Sequence, residues 1–441
     1  MSGKGFLGLD IGLSGLRASL VGQRGALLGQ RREQVECDRL ALPDLTARLE
    51  ALVRDLMRDV GPCGVDAMAV CAFGPAPVLL TAAGEPVLRI DMRPDATTAA
   101  TGDDLRARVA ACRATRPDAL GRAAMAADLT GYLAGELTGQ VVIDPGTRAD
   151  FVAAGIGAWL ALPPEMPADA ICGGLRAQVA ARMGLPAGTP VVAGCYDSSA
   201  DLLAAGFGSL RPACLVVGTT LVLGRLTAEP VRDPALRSVS HAGPGWFSGG
   251  WTNAAGASLE LAGRWLGPAR AEAPGAATPL VLPFFCGERA PIWNAAASGA
   301  VLGLTSTMSA DDLHRGFAEG VALSALDIAD RLACEIGPAA GWFASGGGIR
   351  SSGLMQALSD ALGAPVALPD PVEAGLGPAY LAARAAGVTL VLAERSVLSP
   401  CKVSTNRFRR RLAPYRAAQA ALTSLYAALR EPDSQMTGEC A

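Results

Sequence analysis

Short apolar runs alternate along the chain with stretches of helical periodicity, the pattern of an α/β protein. The first run, Phe6-Leu7-Gly8-Leu9, predicts a strand that meets a turn at Asp10-Ile11-Gly12-Leu13-Ser14-Gly15. A second strand over residues 16–21 follows at once, so the sheet opens on an antiparallel hairpin. A dinucleotide-binding unit would instead lead its glycine turn into a helix. Helical spacing predicts helices over residues 45–59 and 119–135, and a strand at 190–193 precedes a short helix over 200–205.

A comparable unit recurs about two hundred residues later. Residues 213–217 predict a strand, Gly218-Thr219-Thr220 a turn, and residues 221–223 the start of a second strand. Two strand–turn–strand units, each opening one half, point to duplication of one domain type rather than to a short repeat. The glycine-rich link Gly206-Phe207-Gly208-Ser209 marks the boundary, giving domains over 1–208 and 209–441. The second half predicts a long helix over 309–336, a strand over 342–344, a glycine turn and a helix over 354–362. The last helix is expected over 412–429.

Composition narrows the function. The 441 residues, 50% apolar and 18% charged with a net charge of -3, have room for two or three domains and a large core. A nucleic-acid binder would show a basic excess or stripe. The one basic cluster, Arg407, Arg409, Arg410 and Arg411, reads as a solvated helix start. Trp246, Trp251 and Trp265 read as core. Asp10 and Arg17 interrupt any apolar run at the N-terminus, so no secretory signal is expected. No stretch approaches the ~18 apolar residues of a membrane span. Eleven cysteines without a CxxC pair, and only His241 and His314 as nitrogen ligands, speak against a zinc site or a disulfide framework. Reduced thiols in a cytoplasm fit better. With two histidines a His-based triad is not expected, and any acid–base work falls to a carboxylate.

Five places carry candidate chemistry. Asp10, in a turn with Gly12 and Gly15, suits either an Asx turn or a phosphate site in which a Mg²⁺ separates the carboxylate from the phosphate. Gly218-Thr219-Thr220 offers backbone amides and two hydroxyls to phosphate oxygens, or is an ordinary turn between strands. Gly346, Gly347 and Gly348 let the backbone approach a ligand ahead of a helix N-terminus, or make a tight connection. Asp197, after one strand and before a helix, is a helix cap or a reactive carboxylate at the strand's carboxyl end. Glu288 and Arg289 read as an ion pair anchoring a loop.

Taken in order, these pieces resemble the FGGY carbohydrate kinase family of the actin, hexokinase and Hsp70 fold group. The resemblance runs from Leu7 to about Gly387, through LGLDIGLSGLRA (7–18), LTGQVVIDP (137–145), GTPVVAGCYDSSADLLAAG (188–206) and VVGTTLVLG (216–224). It continues through FFCGERAPIW (284–293), GLTSTMSADDLHRGFAEGVAL (303–323), FASGGGIRSSGLMQALSDALGAPV (343–366) and EAGLGPAYLAA (373–383). It implies two actin-like (ribonuclease H-like) α/β domains with a cleft between them, and ATP-dependent phosphorylation of a small sugar with Mg²⁺. The nucleotide would lie against Gly12, Leu13, Ser14, Arg17, Gly218, Thr219, Thr220 and Gly346 to Gly348. Asp10 would lie near the metal and the transferred phosphoryl group, and Asp197 would take the proton of the sugar's primary hydroxyl. Substrate contacts are expected at Asp10, Asp197 and Ser198, in a cytoplasmic monomer or homodimer with no nucleic-acid or membrane partner.

Three departures set this chain apart. The family usually has Thr where Leu13 stands. Typical xylulokinases carry a Gly-Gln-Met-His-Gly run against the sugar, where Ala72-Phe73-Gly74-Pro75-Ala76 stands here. Little separates Asp91-Met92-Arg93 from the helix expected at Ala119. The short first lobe resembles the compact branch with D-ribulose kinases and xylulokinase-like proteins, which implies a ketopentose such as D-ribulose or xylulose. The alternatives are a kinase of glycerol, erythritol or a hexulose, or a member that binds ATP or sugar with little phosphoryl transfer because of Leu13.

Overall fold

The computed structural model describes residues 4–90, 105–206, 213–240, 246–268, 278–370, 375–391 and 393–429. Most of the expected link at 206–209, the Asp91-Met92-Arg93 segment and His241 lie outside them.

The chain opens with an antiparallel meander, β1 (Lys4–Gly12), β2 (Gly15–Gly22) and β3 (Leu27–Gln34). After α1 (Leu42–Val60), β4 (Gly64–Ala72) returns parallel to β1. A small sheet of β5 (Pro77–Leu80), β6 (Pro86–Arg89) and β7 (Met125–Asp128) follows, with α2 (Leu105–Thr115) and α3 (Pro117–Arg122) inserted before β7. The first half ends through α4 (Leu129–Thr138), α5 (Pro145–Ala153), β8 (Ile171–Gly174), α6 (Ala177–Met183), β9 (Pro190–Val192) and α7 (Asp197–Ala204). Its main sheet has the order β3-β2-β1-β4-β9-β8.

The second half repeats the plan. It begins with β10 (Ala213–Val217), β11 (Leu221–Thr227), β12 (Arg237–Ser240), β13 (Trp246–Thr252) and α8 (Gly256–Leu266), then the ribbon β14 (Leu280–Leu282) and β15 (Ala300–Leu302). The long helix α9 (Ala310–Ile336) leads to β16 (Trp342–Ser345), α10 (Ser352–Leu362), β17 (Val366–Asp370), α11 (Gly377–Ala385), β18 (Ala393–Leu398) and α12 (Lys402–Ala428). The second main sheet runs β12-β13-β11-β10-β16-β17-β18. With β12 set aside, both sheets read as an antiparallel meander, two parallel strands and an antiparallel edge. The duplication expected from the two hairpins is therefore present in the strand order. This is the two-domain actin-like architecture.

Strand alternation positions the site. Leu7, Leu9 and Ile11 of β1 enter the core formed with α1. The opposite face carries Phe6, Gly8 and Asp10, and α11 packs on it although it follows the second sheet's β17 in sequence. The fit is close enough to require a glycine: a Cβ at position 8 would lie 2.3 Å from the Ala379 nitrogen.

Several elements differ from the sequence expectation. Residues 119–135 are not one helix but the end of α3, all of β7 and the start of α4. Alanine-rich composition favours a helix there, but pairing of β7 with β5 overrides it, and Asp128 caps α4 by accepting the Thr130 and Gly131 N–H groups. The final helix starts at Lys402 rather than 412. Its basic cluster is not a solvated start: Arg407 pairs with Glu319, Arg409 with Asp330 at 2.9 Å, and Arg411 donates to the Thr278 and Pro279 carbonyls. Trp265 is 61% exposed rather than core, because it sits at the end of α8 and meets Phe285 and Phe317 only edge-on. Among the described residues, no helix is long and apolar enough to cross a membrane.

Replacing Gly8 with Ala should push α11 off β1 and cost about 2–3 kcal/mol of stability, the usual effect of overpacking against backbone. Thermal unfolding followed by circular dichroism measures it, and an unchanged melting temperature would contradict the tight α11 contact.

Candidate active site

Asp10 and Arg17 are cross-strand partners in the first hairpin, so both side chains leave the same face of the sheet. Arg17 Nη1 lies 2.7 Å from Asp10 Oδ2 in a direct ion pair. Asp10 is only 5% exposed, and burial raises its pKa against the opposing pull of Arg17. The segment entering α11 covers the pair. Gly375, with φ of 77°, would place a Cβ 2.7 Å from Asp10 Oδ2, so only glycine fits there.

Asp197 opens α7 beside this pair. Its Oδ1 accepts the Ser198 N–H at 2.7 Å, which places Ser198 next to the carboxylate through its backbone. Burial, then the charge of Asp10, pushes Asp197 up to about 7, with the Ser198 N–H and Arg17 pulling the other way. The helix begins at 197 rather than 200, so Asp197 lies in its first turn.

A fourth group, Asp201, is not among the candidates that the sequence offers. It stands one turn beyond Asp197 on α7 and accepts the backbone N–H of Gly377 at the start of α11. Burial, then Asp10 and Asp197, raises its pKa well above the ordinary carboxylate range. Arg17 feels Asp10, Asp201 and Asp197 in that order, so one guanidinium faces three carboxylates. The only sequence signal for Asp201 is its i, i+4 spacing from Asp197.

The glycine turns gather at the ends of the central strands. In the first hairpin Gly12 pairs with Gly15, leaving Leu13 and Ser14 as a two-residue tip. The Leu13 and Ser14 carbonyls accept the Cys37 and Val35 N–H groups at 3.0 and 3.3 Å, while the Leu13 side chain is 53% exposed. In the second hairpin, the Gly218 and Thr219 carbonyls accept the Gly256 and Ala257 N–H groups, each at 3.1 Å. That fixes the turn from behind, with Thr219 exposed and Thr220 half-buried. The glycines 346–348 follow β16, the strand parallel to β10, and Gly346 (φ 88°) lies against the Val217 carbonyl. The turns at 218–220 and 346–348 are thus adjacent. Next to them, the Ser345 hydroxyl is buried with no hydrogen-bond partner among the described residues. The helix that carries Asp197 and Asp201, α7, touches β10, the strand that leads into the 218–220 turn.

Glu288 supports the 218–220 turn indirectly. Its carboxylate accepts the Thr252 hydroxyl at 2.7 Å and the N–H groups of Asn253 at 2.8 Å and Arg289 at 2.7 Å. Burial pushes it up to about 7. It therefore anchors the loop through Thr252 and Asn253, just ahead of the α8 start that holds the 218–220 turn. Among the described residues, no group of three or more His, Cys, Asp or Glu is arranged to hold a metal ion.

Residues 213–386 match the model of the FGGY family of carbohydrate kinases, C-terminal domain. A glycerol kinase from Vibrio atlanticus is 37% identical over 109 residues, 24% of this chain and 22% of that protein, so the match spans about a fifth of such curated relatives. Among solved structures, a gluconate kinase from Lactobacillus acidophilus gives a TM-score of 0.83 at 17% identity, over 97% of this chain and 100% of the other. A xylulose kinase from Rhodospirillum rubrum gives 0.78 at 24% identity, over 96% and 100%. Those two likenesses show the fold, and what the domain match adds is a similarity, through residues 213–386, to the C-terminal domain of the FGGY family of carbohydrate kinases.

Proposed function

We propose that this protein is an ATP-dependent kinase of a small sugar, with Asp197 as the base that activates the acceptor hydroxyl. The observation that carries this reading is a carboxylate poised near neutrality, set beside the Asp10–Arg17 pair and one helix away from two donor-rich turns. On this reading the ionised Asp197 takes the proton of a primary hydroxyl as that oxygen attacks the terminal phosphorus. The new O–P bond forms while the bond from that phosphorus to the bridging oxygen breaks, and ADP leaves. Residues 1–208 would hold the sugar and 209–441 the nucleotide, with α11 crossing back over Asp10.

The phosphate oxygens would meet the amides of Gly12, Leu13 and Ser14, the hydroxyls of Thr219 and Thr220, and the loop at Gly346 to Gly348. A Mg²⁺ ion fits such a donor set when most ligands are phosphates and waters, with Asp10 as the protein's contribution, and it would neutralise developing charge. Arg17 keeps Asp10 oriented.

A ketopentose, D-ribulose or xylulose, is the favoured acceptor, in keeping with the xylulose kinase among the similar structures. A glycerol-sized polyol is the second reading, favoured by the sequence match to glycerol kinases.

Sugar-dependent ADP release, measured by a coupled assay over a panel of ketoses and polyols, tests the activity. Asp197→Ala should lower kcat by about two to four orders of magnitude, the range of general-base catalysis; near-normal turnover would remove Asp197 from the role. The base must be ionised, so kcat should fall tenfold per pH unit below about 7 and level off above it. A profile flat from pH 5 to 8 would contradict that assignment. Leu13→Thr adds a hydroxyl at the exposed tip of the first turn. It should lower the KM for ATP or raise kcat by several-fold, one hydrogen bond's worth, and unchanged kinetics would mean that this contact is supplied elsewhere.

A further inference from the structure

Tyr196 adjoins Asp197 and is bonded to Asp150, and neither takes part in the transfer described above. Tyr196 immediately precedes Asp197, and its backbone bridges Ala72 at the carboxyl end of β4. Its ring occupies the space over Gly74, where a Cβ would lie 2.0 Å from Tyr196 Cδ1. The phenol donates to Asp150 Oδ2 at 3.4 Å and is also bonded by the Thr147 side chain.

Asp150 belongs to α5, whose start is fixed by Asp144. That carboxylate accepts the N–H groups of Gly146 at 3.0 Å and Thr147 at 3.2 Å, and the Thr147 hydroxyl as well. Asp150 and Tyr196 are both half-buried, so each is held in place yet reachable. Across from them, α5 meets β12 of the second sheet. Charges of both signs lie around α5: α2 packs on it, carrying Arg108, which is buried, and Arg106, which donates to the Ala153 carbonyl. Asp150, Asp128 and Asp144 all act on Tyr196, and the neighbouring Arg148 is engaged with Glu165 and the Pro163 carbonyl.

We propose that Tyr196 and Asp150 form the specificity wall of the acceptor site, taking the secondary hydroxyls of a neutral polyhydroxyl substrate and rejecting sugar acids. Asp150 accepts from a substrate hydroxyl, and the Tyr196 phenol fixes that carboxylate while presenting its own oxygen. A substrate carboxylate would approach the carboxylates of Asp150 and Asp144, and among the described residues Arg148 and Arg106 are engaged with Glu165 and the Ala153 carbonyl, so like charges disfavour it. The inference rests on the kinase reading and names the acceptor class for it.

The test compares the wild-type protein with Asp150→Asn and Tyr196→Phe, on neutral ketoses and polyols and on the matching aldonates. Kinetics are paired with thermal stabilisation by each sugar, which reads recognition without turnover. Asp150→Asn should raise the KM of the best neutral sugar about ten- to a hundredfold, with a smaller change in kcat, and lower the neutral-to-acid preference at least about tenfold. Tyr196→Phe should raise the same KM by about tenfold. A purely structural role would leave that preference unchanged. Wild-type preference for an aldonate, or folded variants with unchanged KM and preference, would overturn the proposal. Absence of sugar-dependent turnover in the wild type would defeat the kinase reading alone, and stabilisation by neutral over acidic sugars would still decide the recognition claim. Should Asp150→Asn fail to fold, Tyr196→Phe carries the decision by the same criteria.

Discussion

Among the described residues, Arg17 is the cation to which Asp10, Asp197 and Asp201 all respond, and the proton affinities of the three carboxylates follow from how that charge is shared. Asp10 takes the direct contact at 2.7 Å. The other two carboxylates then lie near a pair that is already close to neutral, in surroundings that penalise charge. Like charges at short range in a low-dielectric site cannot all be ionised together, so protons are retained near neutral pH. Asp201 is pushed well above the ordinary range and Asp197 only to about 7. The same crowding that disfavours charge on these carboxylates thus leaves one of them with the affinity for a proton that general-base chemistry near neutrality requires.

Such crowding has to be held in place by backbone. The clamp comes from α11, which follows the second sheet's β17 in sequence yet packs on the first sheet. Gly8 lets it approach β1, Gly375 covers the Asp10–Arg17 pair, and the Gly377 N–H meets Asp201. Three small residues in two distant segments therefore fix one electrostatic cluster. On the other side α7 touches β10, so the strand that leads into the 218–220 turn is packed against the helix that carries Asp197. Any relative movement of the two sheets would be felt at α7, the helix that opens on Asp197.

Much of this was legible in the sequence because it is local. The two hairpins, their glycine tips and the strand–turn–helix at Asp197 each carry a short-range signature of strand alternation or turn chemistry. Asp201 was not legible, since its environment is made by Arg17 and Gly377, 184 and 176 positions away in the chain. The destination of α11 was hidden for the same reason: an apolar helix states that it packs, not which sheet receives it. The 119–135 segment misled because alanine-rich composition reads as helix, whereas pairing with β5 decides Met125–Asp128. The arginines at 407–411 read as solvated because their partners, Glu319, Asp330 and the carbonyls of Thr278 and Pro279, come from other parts of the chain.

On the proposed reading, recognition and chemistry meet at one peptide bond. Tyr196 is positioned by its bridge to Ala72, the ring's fit over Gly74 and the bond to Asp150, and the next residue is Asp197. A substrate that engages the Tyr196–Asp150 pair would load that junction, and the carboxylate one residue on has little freedom to respond independently, because it opens α7 and is held by the Ser198 N–H. On the proposed reading, binding of an acceptor with its hydroxyls in register would therefore also orient the base, whereas a shorter or differently configured polyol would leave the pair unfilled and the base less well placed. Selectivity would then be expressed in kcat as well as in KM, which follows whenever binding energy is used to position the reacting group.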